Sequence, residues 1–190
     1  MDQNLLKVIE FSLELEKLKN VLRRTKPIGL DRFENSAEHS WQIALVALSL
    51  VPHAKQAVDT AKVVSMLLLH DVVEIDTGDK FAYDANHDDY ENELAAAKRI
   101  FGLLPTETCD KFLNLWIEFE QAETADARFA KAVDRLLPVI QNISNKGQSW
   151  INHKVTVDQV LHKNAGIADL NDDLWSWVKE EVEKTFSEHV

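Results

Sequence analysis

The chain has 190 residues, 45% hydrophobic and 28% charged, with only 5 Gly and 4 Pro. That balance suits one ordinary globular domain, and the scarcity of breakers disfavours a turn-rich all-β fold and long linkers. The formal net charge of −11 disfavours duplex nucleic acid and anionic membrane as standing partners, because both demand a basic face.

Residues 3–22 read as a helix, with Leu5, Leu6, Ile9, Leu13, Leu15, Leu18 and Leu22 on one broad face. Charged residues interrupt the apolar ones throughout, so this start is neither a signal peptide nor a membrane span. Cys109 is the only cysteine, which leaves no intrachain disulfide and suits a reducing, cytoplasmic setting. Thr25 to Ser36, with Pro27 and Gly29, reads as loop. Ser36 is the expected N-cap of a helix running to about Val51, with Glu38 in its first turn favoured by the helix dipole. Pro52 should end it. Residues 57–75 are apolar nearly all round and predict a central helix.

Thr77-Gly78-Asp79 is a stop signal, followed by a polar loop through Asp89. Helices are predicted at 90–101, closed by Gly102, and at 106–122 after Pro105. Another is predicted over 125–144. Its Pro138 removes the amide that would bond the Asp134 carbonyl, so a kink is expected there. A short helix near 157–164 and a last one near 170–187 complete a single all-α domain over residues 1–190, without repeats.

The stretch LLLHDVVEIDTGD carries the chemistry. His70 and Asp71 sit among Leu67, Leu68, Leu69, Val72 and Val73, and a buried carboxylate and imidazole each need a partner. One divalent cation satisfies both. Glu74 lies one turn after His70 on the same face, and Asp79 follows just beyond the helix end. His39, in ENSAEHSW, sits one turn inside the helix that opens at Ser36, and Asp134, in FAKAVDRLLPVI, is another acid among apolar neighbours. A His-Asp dipeptide alone means little. His87-Asp88, in the polar run YDANHDDYEN, reads as solvated loop. The five tryptophans read as core or interface residues, and His53, His153, His162 and His189 as surface.

The order His39, then His70-Asp71, then Asp134 resembles the HD-domain metal-dependent phosphohydrolases. S-A-E-H-S-W, L-L-H-D-x-x-E-x-x-x-G-D and F-A-K-A-V-D-R-L look like the branch containing bacterial 5′-deoxynucleotidases, over about residues 18 to 150. The resemblance implies an HD-type helical bundle in which His39, His70, Asp71 and Asp134 bind one divalent metal ion. Two imidazoles and two carboxylates suit Mn, Co, Fe, Zn or Ni, leaving roughly two open positions for water and phosphate. Glu74 would orient the water or carry its proton, and Asp79 would face the sugar or assist it. The phosphate would meet an arginine among Arg23, Arg24 and Arg32, with Arg24 preferred. The deoxynucleotidases follow their arginine with a sugar-packing Trp; here Thr25, Lys26, Pro27 and Ile28 follow.

The implied activity is phosphomonoester hydrolysis on (deoxy)nucleoside 5′-monophosphates. The alternatives are a guanosine tetraphosphate (alarmone) hydrolase and a non-catalytic nucleotide-binding HD module. Alarmone hydrolases carry an adjacent Glu-Asp pair, whereas Ile75 separates Glu74 from Asp76 here. The cyclic dinucleotide phosphodiesterases commonly have Lys where Glu74 stands. Intact ligands and Glu74 argue against a mere binder. The partner is thus a small-molecule phosphate ester. A homodimer is a further implication, with the apolar C-terminal face around Trp175 and Val178 as its contact, and loop 80–90 is the expected lid.

Overall fold

Side-chain caps fix where most helices begin. The computed structural model describes residues 2–84 and 90–189. Helix α1 (Gln3–Leu15) starts where the Asp2 carboxylate accepts from the Asn4 amide. It gives way to a 3₁₀ turn over Glu16–Asn20, so the expected continuous helix 3–22 is divided. Its leucine face is not core either. Leu5, Ile9 and Leu13 are 57%, 48% and 66% exposed, while Phe11 and Leu18 are the buried anchors of this segment.

Helix α2 (Ser36–Leu50) is capped by Asn35 in a reciprocal box with Glu38, one residue earlier than expected. That shift frees the Ser36 hydroxyl for another partner. Helix α3 (Thr60–Leu69) is capped by Asp59. The chain then tightens to 3₁₀ over His70–Val73 before the short α4 (Glu74–Thr77). The expected 57–75 helix therefore changes character at His70. Gly78, at φ 71°, closes α4 in the left-handed region that glycine enters without steric cost.

Helices α5 (Tyr90–Phe101), α6 (Thr106–Gln121) and α7 (Ala125–Ser144) follow, the last running on through Pro138. A short α8 (Gln148–His153), unexpected from the sequence, precedes α9 (Val157–Lys163) and α10 (Asp172–His189). The fold is all-α and single-domain. Among the described residues the only extended pairing is one bridge between Leu22 and Asn35. Its flanking bonds, Arg23 N–H to Glu34 O at 2.8 Å and Ser36 N–H to Val21 O at 3.0 Å, bring Arg23 and Glu34 to the start of α2.

Two apolar clusters meet at the 3₁₀ segment. Ile43, Met66, Leu67 and Val133, from α2, α3 and α7, are fully buried in one, with Trp150 almost so. Val72, Val73, Ile100, Phe101 and Trp116 form the other, and Leu115 packs against both. Each such side chain contributes roughly 1.5–3 kcal/mol by burial. His70-Asp71 thus lies where the chain passes from one core to the other. Leu68 is 46% exposed and does not enclose the pair, as the sequence had suggested. Val178 is fully buried in the first core with Trp175 packed against it, so the anticipated dimer face is internal to the chain.

Candidate metal centre

Four side chains from three parts of the chain converge. Asn35 starts α2 so that His39, one turn in, is fully buried against α7. His39 Nε2 lies 2.9 Å from Asp134 Oδ1, and its Nδ1 lies 3.3 Å from Glu34 Oε2. The His70 ring is set by its own backbone: Nδ1 lies 2.9 Å from the Leu67 carbonyl, which can only accept, so the proton sits on Nδ1. Nε2 then points its lone pair into the pocket. The Trp116 indole N–H donates to the His70 carbonyl at 3.1 Å and holds the 3₁₀ turn in place.

His70 Nε2 lies 2.9 Å from Asp71 Oδ1 and 3.4 Å from Asp134 Oδ1. It is buried and hydrogen-bonds to neither. A nitrogen lone pair facing two carboxylate oxygens fits a divalent cation, which accepts all three donors at once. The donor atoms of His39, His70 and Asp71 all lie within 4.8 Å of one another. These residues suit a metal of the nitrogen- and oxygen-preferring kind.

The electrostatics agree. Without a cation, Asp71 and Asp134 outweigh the cost of burial and hold the His70 imidazole well above the usual histidine range, so Nε2 then carries a proton. A bound cation would take the place of that proton between the same oxygens. Burial likewise works against an ionised Asp134, but His39 and His70 keep it well below the carboxylate range. Glu74 behaves oppositely: burial, then the charge of Asp71, pushes it well up. Burial pushes Asp79 up to about 6, with Arg23 pulling against it and Asp71 adding to it. The site therefore holds two ionised carboxylates beside two that retain protons easily, the separation of roles that hydrolytic sites use.

A cavity of about 580 Å³ opens onto His70, Asp71, Glu74, Asp79 and Asp134. Arg23 lines it too, its Nη1 2.7 Å from Asp71 Oδ2 and 3.8 Å from Asp79 Oδ1. Arg24, preferred from the sequence for phosphate, instead lines a smaller adjoining cavity of about 100 Å³. Arg32 stands outside both. It is half-exposed, with its guanidinium forked onto the Glu38 carboxylate of the α2 capping box. Lys80, Phe81, Ala82 and Tyr83 of the expected lid line the smaller cavity. The rest of that expectation, residues 85–89 with His87-Asp88, lies outside the described residues.

Two residues escaped the sequence reading. Glu34 is 1% exposed, faces His39 and accepts from Gln141 Nε2 at 2.6 Å. Ser36 donates its hydroxyl proton to Glu74 Oε2. The spacing from Glu34 to His39 spans one loop residue and one helical turn, and that placement was the available signal.

The HD-domain profile matches residues 15–175. A solved structure from Magnetospirillum magnetotacticum MS-1, described as a predicted metal-dependent phosphohydrolase, is 41% identical. It covers 98% of this chain and 97% of its own, with a TM-score of 0.92. The 5′-deoxynucleotidase of Erwinia tasmaniensis is 29% identical over 164 residues, spanning 80% of this chain and 82% of that protein. The 5′-deoxynucleotidase HDDC2 of Xenopus laevis is 28% identical over 136 residues, 68% of this chain. The chain spans 66% of that frog protein, just under two thirds. With a family match over most of its length and so close a structural relative, the chain belongs to the HD-domain metal-dependent phosphohydrolases.

Proposed function

We propose that the chain is a phosphomonoesterase releasing phosphate from (deoxy)nucleoside 5′-monophosphates, with one divalent ion held by His39, His70, Asp71 and Asp134. The observation that carries this reading is Arg23. Its guanidinium is packed against the ligand Asp71 and faces Asp79, so a phosphoryl oxygen reaching the metal ligands meets a phosphate-seeking fork beside them. The names of the frog and Erwinia relatives support the same substrate class.

When bound, the ion supplies Lewis acidity toward the phosphate and the attacking water. Arg23 orients the phosphoryl group and offsets the charge that builds on its oxygens. Glu74, pushed up by its buried position, is suited to take the proton of the attacking water and keep it near neutral pH. The Ser36 hydroxyl fixes which Glu74 oxygen is free to do so. Asp79 faces the sugar side and, at about 6, can exchange a proton with the leaving 5′-oxygen.

The alarmone hydrolase alternative is disfavoured by Asp76. Both of its oxygens are gripped by Arg99, with Nη2 at 2.6 Å from Oδ1, so it does not join Glu74 in the pocket. The convergence of the intact ligand set with Glu74 on one cavity argues against a non-catalytic binder. We place the homodimer contact on exposed apolar stripes rather than on α10: Trp41, Leu45 and Leu48 on α2, and Leu5, Ile9 and Leu13 on α1. No helix among the described residues is long and apolar enough to cross a membrane; a cytoplasmic setting is part of the same reading.

The test is phosphate release from ribo- and deoxynucleoside 5′-monophosphates, with Mn, Co, Fe, Zn or Ni added to chelator-treated enzyme, alongside Asp71→Ala. Metal-dependent release, abolished by the substitution, is expected. No release from any monophosphate with any metal would overturn the nucleotidase reading.

A further inference from the structure

The smaller cavity has a charge pattern that hydrolysis of a single phosphate does not require. The chain carries 32 acidic and 21 basic residues, so carboxylate partners are abundant. The other cations around the pocket have them: Arg23 has Asp71, Lys80 has Glu93 and Lys131 has Glu120. Arg24, Arg135 and Lys163 line the smaller cavity together, and none has an ion pair among the described residues.

They come from three separate parts of the chain: the loop after the 3₁₀ turn, the residue after Asp134 on α7, and the last residue of α9. Arg135 is spread toward the turn after α9, where its Nη1 would lie 3.5 Å from a Cβ added at Gly166. That turn begins beside Lys163. Burial, with Arg135 and Lys131 nearby, pushes the Lys163 ammonium below the usual lysine range. Arg135 and Lys163 are half-buried and Arg24 is exposed. The carboxylates Asp79 and Asp134 line the same cavity without forming an ion pair with any of the three. Holding the two half-buried like charges together costs stability, and an anion removes that cost. The same cavity offers an apolar floor in Phe81, Pro138 and Val139. Arg135, Lys163 and Asp134 also line the larger cavity, so the two spaces adjoin across these residues.

We infer that Arg24, Arg135 and Lys163 form a second phosphate subsite, and that the preferred substrate is a nucleoside 3′,5′-bisphosphate. This rests on the proposed phosphomonoesterase reading and narrows its substrate. The 5′-phosphate occupies the metal centre with Arg23, the sugar lies over the apolar floor, and the 3′-phosphate reaches the three cations. In the reaction, water adds to the 5′-phosphorus as the bond from phosphorus to the 5′-oxygen breaks. The 5′-oxygen takes up a proton, and the products are inorganic phosphate and a nucleoside 3′-monophosphate.

The test compares kcat/KM for 2′-deoxyadenosine 5′-monophosphate, 3′,5′-bisphosphate and 5′-diphosphate, with the product identified by phosphorus NMR. Charged hydrogen bonds to one added phosphate predict a preference of about tenfold or more for the bisphosphate over the monophosphate. Arg135→Gln and Lys163→Gln, made separately, should each reduce that ratio several-fold. In the unmodified enzyme, added salt should depress the bisphosphate reaction more steeply than the monophosphate reaction. A ratio at or below one, or a best substrate that is the 5′-diphosphate, would overturn the bisphosphate assignment while leaving the phosphomonoesterase reading intact. So would a ratio that neither variant nor salt alters. Release from none of the three would overturn both.

Discussion

Glu34 Oε2 lies 3.3 Å from His39 Nδ1, on the ring edge away from Asp134, so one buried imidazole stands between two carboxylates. Glu34 and His39 stand within ion-pair range without a hydrogen bond in the metal-free geometry. A carboxylate that accepts from the far N–H of a metal-binding histidine fixes its tautomer and ring orientation and raises its basicity, and its loss typically costs 10–100-fold in metal affinity. Glu34→Gln should therefore weaken Mn or Co binding by roughly that factor in a calorimetric titration. Gln141, which donates to Glu34, keeps an oxygen acceptor in the variant. Affinity equal to that of the unmodified protein would contradict this bracing role.

Ser36 and Glu74 make a second prediction, separable from metal binding. Glu74→Gln removes the proposed base and should lower kcat by about 10²–10⁴-fold, with metal affinity little changed. Ser36→Ala is milder. The hydroxyl donates to the Glu74 carboxylate and so favours its ionised form. Without it Glu74 holds its proton to higher pH, and the acidic limb of the kcat/KM profile should move upward. An unmoved limb would separate Ser36 from the base.

How much of this was legible in the sequence depends on what each residue interrupts. His70-Asp71 and Asp134 stood out because ionisable groups inside apolar runs demand a partner. The break at His70 carried no such mark, having neither Gly nor Pro. It is a tertiary effect, held by the Trp116 indole on the His70 carbonyl from 46 residues away. Glu34 was invisible for the opposite reason, lying in a polar loop. Its burial follows from the pairing of 21–25 with 34–36 and from Gln141 across the fold. The leucine periodicity of α1 reported an amphipathic helix correctly, but periodicity does not say what covers the apolar face.

Asp79 predicts a pH dependence of stability in metal-free protein. Its folded-state value, about 6, lies above the ordinary 3.8, so between those limits the folded chain binds more protons than the unfolded one. Stability contributed by this group is thus present at acid pH and lost as pH rises through that window. Asp79→Asn removes the dependence. Denaturant unfolding in chelator should show the variant more stable than the parent above pH 6, by on the order of 2 kcal/mol, and the gap closing toward pH 4. A gap constant across pH would mean that Asp79 carries no such burden.

The central claim is that His39, His70, Asp71 and Asp134 hold one divalent ion. Titrating chelator-treated protein with Mn or Co in a calorimeter, beside Asp71→Ala and His70→Ala, tests it most directly. The account predicts one ion per chain with tight binding in the parent, and severe loss in both variants while helical content by circular dichroism is retained. Binding of equal strength in the folded variants, or no binding to the parent by any of the transition metals, would contradict it.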